Sequence, residues 1–207
     1  MTKYTVITGD VIRSRKYNNI NKLLTESINN ISYPDNMIVP FNISRGDEVQ
    51  AVFKGHILFP QFIRQIRYEL VKLDMRFGIG FGNINEISNN MSSWNMNGPA
   101  FYYAREALEE IEKDDKFKTK FKSNNKIDEA INTIQFLIDT LQAEWTDSQW
   151  EAIYYYEKMG TYKKAAKELN IAFQNVEKRC KAAKWKEVSL AEKKIYKISK
   201  YFLQEGD

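Results

Sequence analysis

Tyr4-Thr5-Val6-Ile7-Thr8-Gly9-Asp10 and, further along, Ile43-Ser44-Arg45-Gly46-Asp47-Glu48-Val49-Gln50-Ala51-Val52-Phe53 share one pattern. Each is a run rich in β-branched residues with a glycine and an aspartate where the chain is expected to turn. If the two strands are neighbours, Asp10 and Asp47 converge on one edge of a sheet. Hard carboxylate oxygens placed together are what a Mg²⁺ or Mn²⁺ ion carrying a nucleotide phosphate needs. The same Gly-Asp pairs are also ordinary turn chemistry, with carboxylates accepting from local N–H groups. Both readings stay open at this level.

Working outward, residues 3–9 read as a strand, followed by a polar helix from about Asn19. A hairpin covers residues 37–54, its turn centred on Gly46 and Asp47. Residues 61–73 place Phe62, Ile63, Ile66, Leu70 and Leu73 on one helical face. A strand over 75–81, a polar loop over 82–98, a helix over 98–111 and an edge strand over 116–121 complete the first part. This βαββαβα order predicts an α+β, ferredoxin-like antiparallel sheet with helices on one face. The stretch 85–98, with Met91, Trp94 and Met96, reads either as a lid or as a connection pinned by Trp94. His56, beside Gly55, is expected to cap a helix, and Cys180 to be a packed residue.

From about Asp128 the pattern is wholly helical. Ile131, Ile134, Leu137, Ile138 and Leu141 mark an amphipathic helix that serves as a connector or a dimerisation surface. Thr146-Asp147-Ser148-Gln149 reads as a capping box that starts a fresh helix. The expected division is therefore residues 1–124, a connecting helix over 125–145, and a small all-α unit over 146–207. In that unit a helix ends at Gly160, a short one follows over 162–169, Asn170-Ile171-Ala172 makes a turn, and the last helix runs from Phe173 to about Ala183. Ala166 allows a close crossing while Leu169, Ile171 and Val176 fill the core between the helices. Gln174, Asn175 and Lys178 then face outward, where amides pair with adenine and lysine reaches guanine. Arg179, Lys181 and Lys184 fall nearer a phosphate backbone. The competing reading is a three-helix cap whose lysines form a solvated face.

Composition excludes several chemistries. The 207-residue chain has one Cys and one His, which removes internal disulfides, Cys- or His-based metal clusters and a His-driven triad. The absence of a long apolar run or signal-like start predicts a cytoplasmic protein with no membrane partner. The net charge of +4 is localised: from Thr146 onward there are 13 Lys+Arg against 9 Asp+Glu, leaving 18 of each before it. Such a surplus is a modest footprint for double-stranded DNA.

Gly46-Asp47-Glu48 on a hairpin, with Asp10 ending the first strand, resembles the class III nucleotide cyclases and their GGDEF-type diguanylate cyclase relatives. Arg76-Phe77-Gly78-Ile79-Gly80-Phe81-Gly82 and Gly98-Pro99-Ala100-Phe101-Tyr102-Tyr103-Ala104-Arg105-Glu106-Ala107 look like the central strand and following helix of that fold. The ordered set of motifs resembles most closely the SatD family, a bacterial group, over nearly the whole chain. The C-terminal unit resembles the helix-turn-helix of sigma-factor region 4. The cyclase resemblance implies Asp10, Asp47 and the Val11 carbonyl as metal ligands. It implies Ile12, Arg13, Ser14, Gly46 and Glu48 around a nucleotide, with Arg105 as a γ-phosphate partner; an i–4 ion pair is the competing account of Arg105. Arg13, Ser14 and Arg15 also fit a solvated loop. The Asn and Arg positions that cyclases use on the late helix hold Tyr102 and Glu106, and Arg45 replaces the first glycine of the GGDEF type.

The expectation is thus a DNA-binding regulator with a metal- and nucleotide-triphosphate-binding domain. Two alternatives stand beside it: a phosphodiester-forming or -cleaving enzyme with a helical partner module, and a DNA-binding protein whose cyclase-like part only dimerises. A homodimer is compatible with all three.

Overall fold

A computed structural model describes residues 2–44, 46–70, 73–86, 92–114 and 116–204. Arg45 and Met91 lie outside the described residues. Five strands, β1 (Tyr4–Val11), β2 (Met37–Ile43), β3 (Glu48–Lys54), β4 (Met75–Gly82) and β5 (Thr119–Lys122), form one sheet in the order β2-β3-β1-β4-β5. The first four pair antiparallel, with β1 held between β3 and β4. The expected edge strand is present as β5, but it pairs parallel to β4, so the sheet is mixed.

The helices are also not confined to one face. β4 alternates Phe77, Ile79 and Phe81 with Gly78, Gly80 and Gly82, and period-2 geometry sends these sets to opposite sides. The large residues join Ile7 and Phe53 under α1 (Ile20–Ile28) and α2 (Phe59–Glu69), which contribute Leu24, Phe62, Ile63 and Ile66. The glycine side lies against α3 (Pro99–Lys113), where Ala100, Phe101 and Ala104 meet Val6, Val39 and Val52. A Cβ on Gly78 would run into the Ala104 carbonyl, and one on Gly80 into the Ala100 carbonyl. The glycines let the α3 backbone lie directly on the strand, and α3 then carries the chain across the sheet to the parallel β5, as a βαβ crossover must.

The rest is helical: α4 (Ile127–Ala143), α5 (Asp147–Met159), α6 (Tyr162–Glu168), α7 (Phe173–Ala182) and α8 (Trp185–Gln204). The Thr146–Gln149 capping box is formed, and Gly160 at φ 75° ends α5 in the left-handed region. Helix α7 is not the last one. After Lys184, α8 turns back across α4 and α2, burying Val188 and Ile195. A single apolar cluster therefore runs from the sheet through α4 to the α5–α8 region. On α4, Ile131 and Ile138 are buried, whereas Leu137 and Leu141 face outward.

Arg64 of α2, 2% exposed, binds Glu192 of α8 through Nε at 2.8 Å and Nη2 at 3.1 Å, and Glu157 of α5 through Nη1 at 2.6 Å. Trp185 stacks 4.4 Å from its guanidinium carbon. Burial acts to lower the Arg64 pKa, yet the two carboxylates outweigh it and hold the group more firmly protonated. Arg67 adds Asp139, Gln142 and Thr119 as partners, so α2 carries the polar contacts that join sheet and helices.

Candidate functional site

Asp10 is inside β1 rather than at a turn. Directly across from it stand Glu48 on β3 and Arg76 on β4, and cross-strand partners share a face of the sheet. Arg76 grips both Asp10 oxygens, Nε to Oδ1 at 2.6 Å and Nη2 to Oδ2 at 2.8 Å, and also reaches Glu112 of α3 at 3.2 Å. Asp10 is 8% exposed. These hydrogen bonds, reinforced by the charges of Asp10, Glu112 and Asp47, raise the Arg76 pKa against its partial burial. On the other side Arg105 forks onto Glu48 at 3.1 and 2.9 Å. That pair joins α3 to the hairpin, so the intrahelical ion pair considered for Arg105 is not its main contact.

The structure therefore brings Asp10, Asp47 and Glu48 to one end of the sheet, with Gly46 at φ 95° in the turn. It also supplies counter-charges that the sequence reading lacked. Both oxygens of Asp10 and both of Glu48 are engaged by guanidiniums. No group of three or more His, Cys, Asp or Glu side chains able to hold a metal ion occurs among the described residues. As arranged, Asp10 could turn to Mg²⁺ or Mn²⁺ only by giving up Arg76. Val11 pairs with Met75 across the strand, and its side chain is buried in the core under α1 and α2.

Beyond Val11, Ile12 donates its N–H to the Asp74 carbonyl at 2.7 Å, and Arg13 adopts a left-handed backbone at φ 56°, ψ 41° before the short turn Ser14–Lys16. Here an open cleft of about 330 Å³ is lined by Arg13, Lys16, Arg76 and Lys118, with Tyr17 and Phe117 among its apolar walls. Lys118 is paired with Asp74 at 3.0 Å. Sequence reasoning found Arg13 but missed Lys16 and Lys118, because the placement of β1 and β5 on either side of β4 was not available to it. Arg76 was visible as part of a strand, but its partner follows only from the register.

The two late-helix positions that differ from the cyclases have ordinary surroundings. Tyr102 is 56% exposed. Glu106 and Glu110 hold Lys122 of β5, each at 2.8 Å. The loop before α3 rests on the sheet through buried Ser93 and Met96, while Trp94 is only half-buried.

His56 is not a helix cap, since α2 is preceded by Leu58 in that position. It stacks on Phe81 with ring centroids 3.8 Å apart. Burial, assisted by Lys200, pushes its pKa down to about 4 from 6.5. The unfolded chain then binds more protons between those values, so stability is lost as pH falls through that window. Allowing for partial exposure, the loss is about 1–2 kcal/mol. His56→Phe should retain the stack and remove the loss. Its urea-unfolding advantage over wild type should grow from pH 7 to pH 4, and parallel pH profiles would rule this out.

At the other pole, α5, α6 and α7 enclose Ala152, Ile153, Ala165, Ala166, Val176 and Cys180. Leu169 and Ile171 are partly buried at the edge of this core. The turn between α6 and α7 contains Asn170 at φ 50°, a conformation asparagine tolerates. Val176, Cys180 and Ala183 form the inward stripe, which leaves Gln174, Lys178 and Lys181 aligned on the outside, with Asn175 one position round. Lys184 is exposed at the corner with α8. Arg179 is half-buried, its Nη1 3.6 Å from Glu151 of α5, so it faces a neighbouring helix more than the others do. Cys180 is buried, and that burial pushes its thiol pKa up to about 11.

A family model, that of the SatD family, matches residues 4–197. The chain belongs to the SatD family. The match spans the sheet, α4 to α7 and the first part of α8, so the SatD assignment covers both poles. No curated protein compared with the chain matches it. No helix among the described residues is long and apolar enough to cross a membrane.

Proposed function

We propose that this SatD-family chain is a DNA-binding regulator that reads duplex DNA through α7 and takes a nucleoside triphosphate at the end of its cyclase-like sheet. The observation that carries the reading is the outward stripe of α7. Gln174 and Asn175 sit near the start of an exposed helix after a short turn, and Lys178, Lys181 and Lys184 follow on the outside. Amides at the helix start suit base edges, and the lysines suit flanking phosphates. The contacts of α2 with α5 and α8 favour communication between the poles, because occupancy at the sheet would bear on the helices only through a continuous packed path. The cations lining the nearby cleft favour a phosphorylated effector over an apolar one. Glu106, held by Lys122 where cyclases use a catalytic position, favours ligand binding over phosphodiester chemistry. A Mg²⁺ or Mn²⁺ ion would have to displace Arg76 from Asp10. A homodimer would present two α7 helices to two half-sites.

Selection from random duplexes, followed by titration at several salt concentrations, tests the DNA reading. Lys178→Ala with Lys181→Ala should weaken binding to all sequences and reduce the salt slope by about 2. Gln174→Ala with Asn175→Ala should relax sequence preference by roughly 1–3 kcal/mol per lost base contact. Sedimentation of the complex gives the number of chains per site. Wild-type protein that selects no sequence, with affinity unchanged in both variants, would end the reading.

A further inference from the structure

The cleft beside Asp10 contains an imbalance that its own surroundings do not resolve. Arg13 and Lys16 are exposed and have no carboxylate partner among the described residues. Arg76 and Lys118 add two more cations, each already paired, Arg76 with Asp10 and Glu112 and Lys118 with Asp74, so the unmatched charge is that of Arg13 and Lys16. Arg13 is also held at φ 56°, a backbone that disfavours any residue with a Cβ. Loop, strand and following segment thus bring positive charge to one concavity of about 330 Å³, within the size range of small-molecule sites.

We infer that this cleft binds a polyphosphate chain directly, and that Arg76 supplies there the fixed positive charge expected of a metal ion. The inference rests on the nucleotide half of the reading above. Asp10 binds Nε and one Nη of Arg76 and so fixes the plane of the guanidinium at the cleft wall. A planar fork already oriented by a carboxylate is suited to phosphate oxygens. Arg13, Lys16 and Lys118 reach the chain from the other sides. Tyr17 and Phe117 offer an apolar wall, Phe117 being backed by Phe136 at a ring separation of 5.1 Å. Because the cations are built into the protein, the anion needs no divalent ion to enter. Mg²⁺ would instead compete for the same oxygens.

Calorimetric titration of the full chain with sodium tripolyphosphate, ATP and GTP, each in EDTA and in Mg²⁺, tests this. Binding is expected in EDTA and should be no tighter in Mg²⁺. Arg13→Ala with Lys16→Ala, and separately Lys118→Ala, lie at exposed or half-exposed positions and should stay folded by circular dichroism. Each variant should lose roughly ten- to hundredfold in affinity. Tighter binding of a nucleotide than of tripolyphosphate would identify a nucleoside triphosphate as the source of the chain, and equal affinity would identify the chain itself; either supports the inference. Binding that requires Mg²⁺, is abolished by Asp47→Ala and ignores the cleft variants would overturn it while leaving the nucleotide effector in place. No binding of any probe would overturn both, and the DNA titration would still stand by itself.

Discussion

Gly80→Val should be the costliest single glycine replacement in the sheet, lowering stability by about 3 kcal/mol or more. The Cβ at this position meets backbone on both sides of its approach, the Ala100 carbonyl and the Ala104 amide nitrogen, rather than the movable end of a side chain. Helix α3 has nowhere to retreat, since Ala100, Ala104 and Leu108 are fully buried and Glu106 and Glu110 tie its outer face to β5. Ordinary overpacking costs about 1–3 kcal/mol, and a clash with the helix backbone itself should exceed it, at about 3 kcal/mol or more. For a chain of this size that lowers Tm by roughly 6–12 °C or more. Gly82→Ala is the comparison, because its Cβ would find its nearest neighbours at 3.1–3.3 Å and should cost much less. Thermal and urea unfolding of the two variants decide the matter. Gly80→Val within about 1 kcal/mol of wild type would mean that α3 does not lie on β4 in this way.

Arg64→Ala should be nearly as severe, for an electrostatic reason. It strands Glu192, 2% exposed, without its counter-charge, and removes one partner of Glu157. Breaking a buried pair from one side typically costs about 3–5 kcal/mol. Burial already pushes the Glu192 pKa up, with Arg64 opposing that push. In the variant the opposition is gone, and the carboxyl should take up a proton on folding. A raised carboxyl pKa contributes stability that is present below the unfolded value and lost as pH rises through the folded one. The deficit of Arg64→Ala should therefore shrink on acidification through the carboxylate range, whereas a defect from lost packing alone would not. Arg64→Met with Glu192→Leu should recover much of the stability, because the deeply buried Glu192 is removed with its partner and the carboxylate left behind, Glu157, is more exposed and keeps its hydrogen bond from Gln61. Failure of the double variant to improve on the single would point to the Trp185 stack as the larger contribution.

The hairpin, α2, β4, α3 and the capping box were all legible, because each carries a local signal: alternation, a helical apolar face, or paired capping side chains. The second face of the sheet was harder to read, since a strand side made of Gly78, Gly80 and Gly82 shows no apolar residues to announce that a helix covers it. Helix α8 escaped for a related reason. Its buried positions are Trp185, Val188, Glu192, Ile195 and Ser199, and two polar residues among the five break the apolar stripe. Glu192 belongs there only because Arg64 waits for it on a distant helix. In the candidate site, Asp10, Asp47 and Glu48 were readable as a group. Their guanidinium partners were not, because register pairs Asp10 with Arg76 and no local pattern specifies register between strands so far apart in the chain. On α4, Leu137 and Leu141 matched the expected spacing but face away from the core. Periodicity identifies an apolar stripe without saying which part of it is covered.

The long reach from Arg64 to Glu192 also governs when the molecule can be completed during its manufacture. The two residues are 128 positions apart, and a ribosome adding about 5–20 residues per second needs roughly 6–26 s to travel that distance. Throughout that interval the emerging sheet has α2 without its final cover, an unpaired guanidinium beside exposed apolar side chains. The C-terminal helix is then less an appendage than the closing piece of the N-terminal layer. A message cut short anywhere before it would release a chain that has formed its hairpin yet offers a sticky, half-built surface to holdases and proteases.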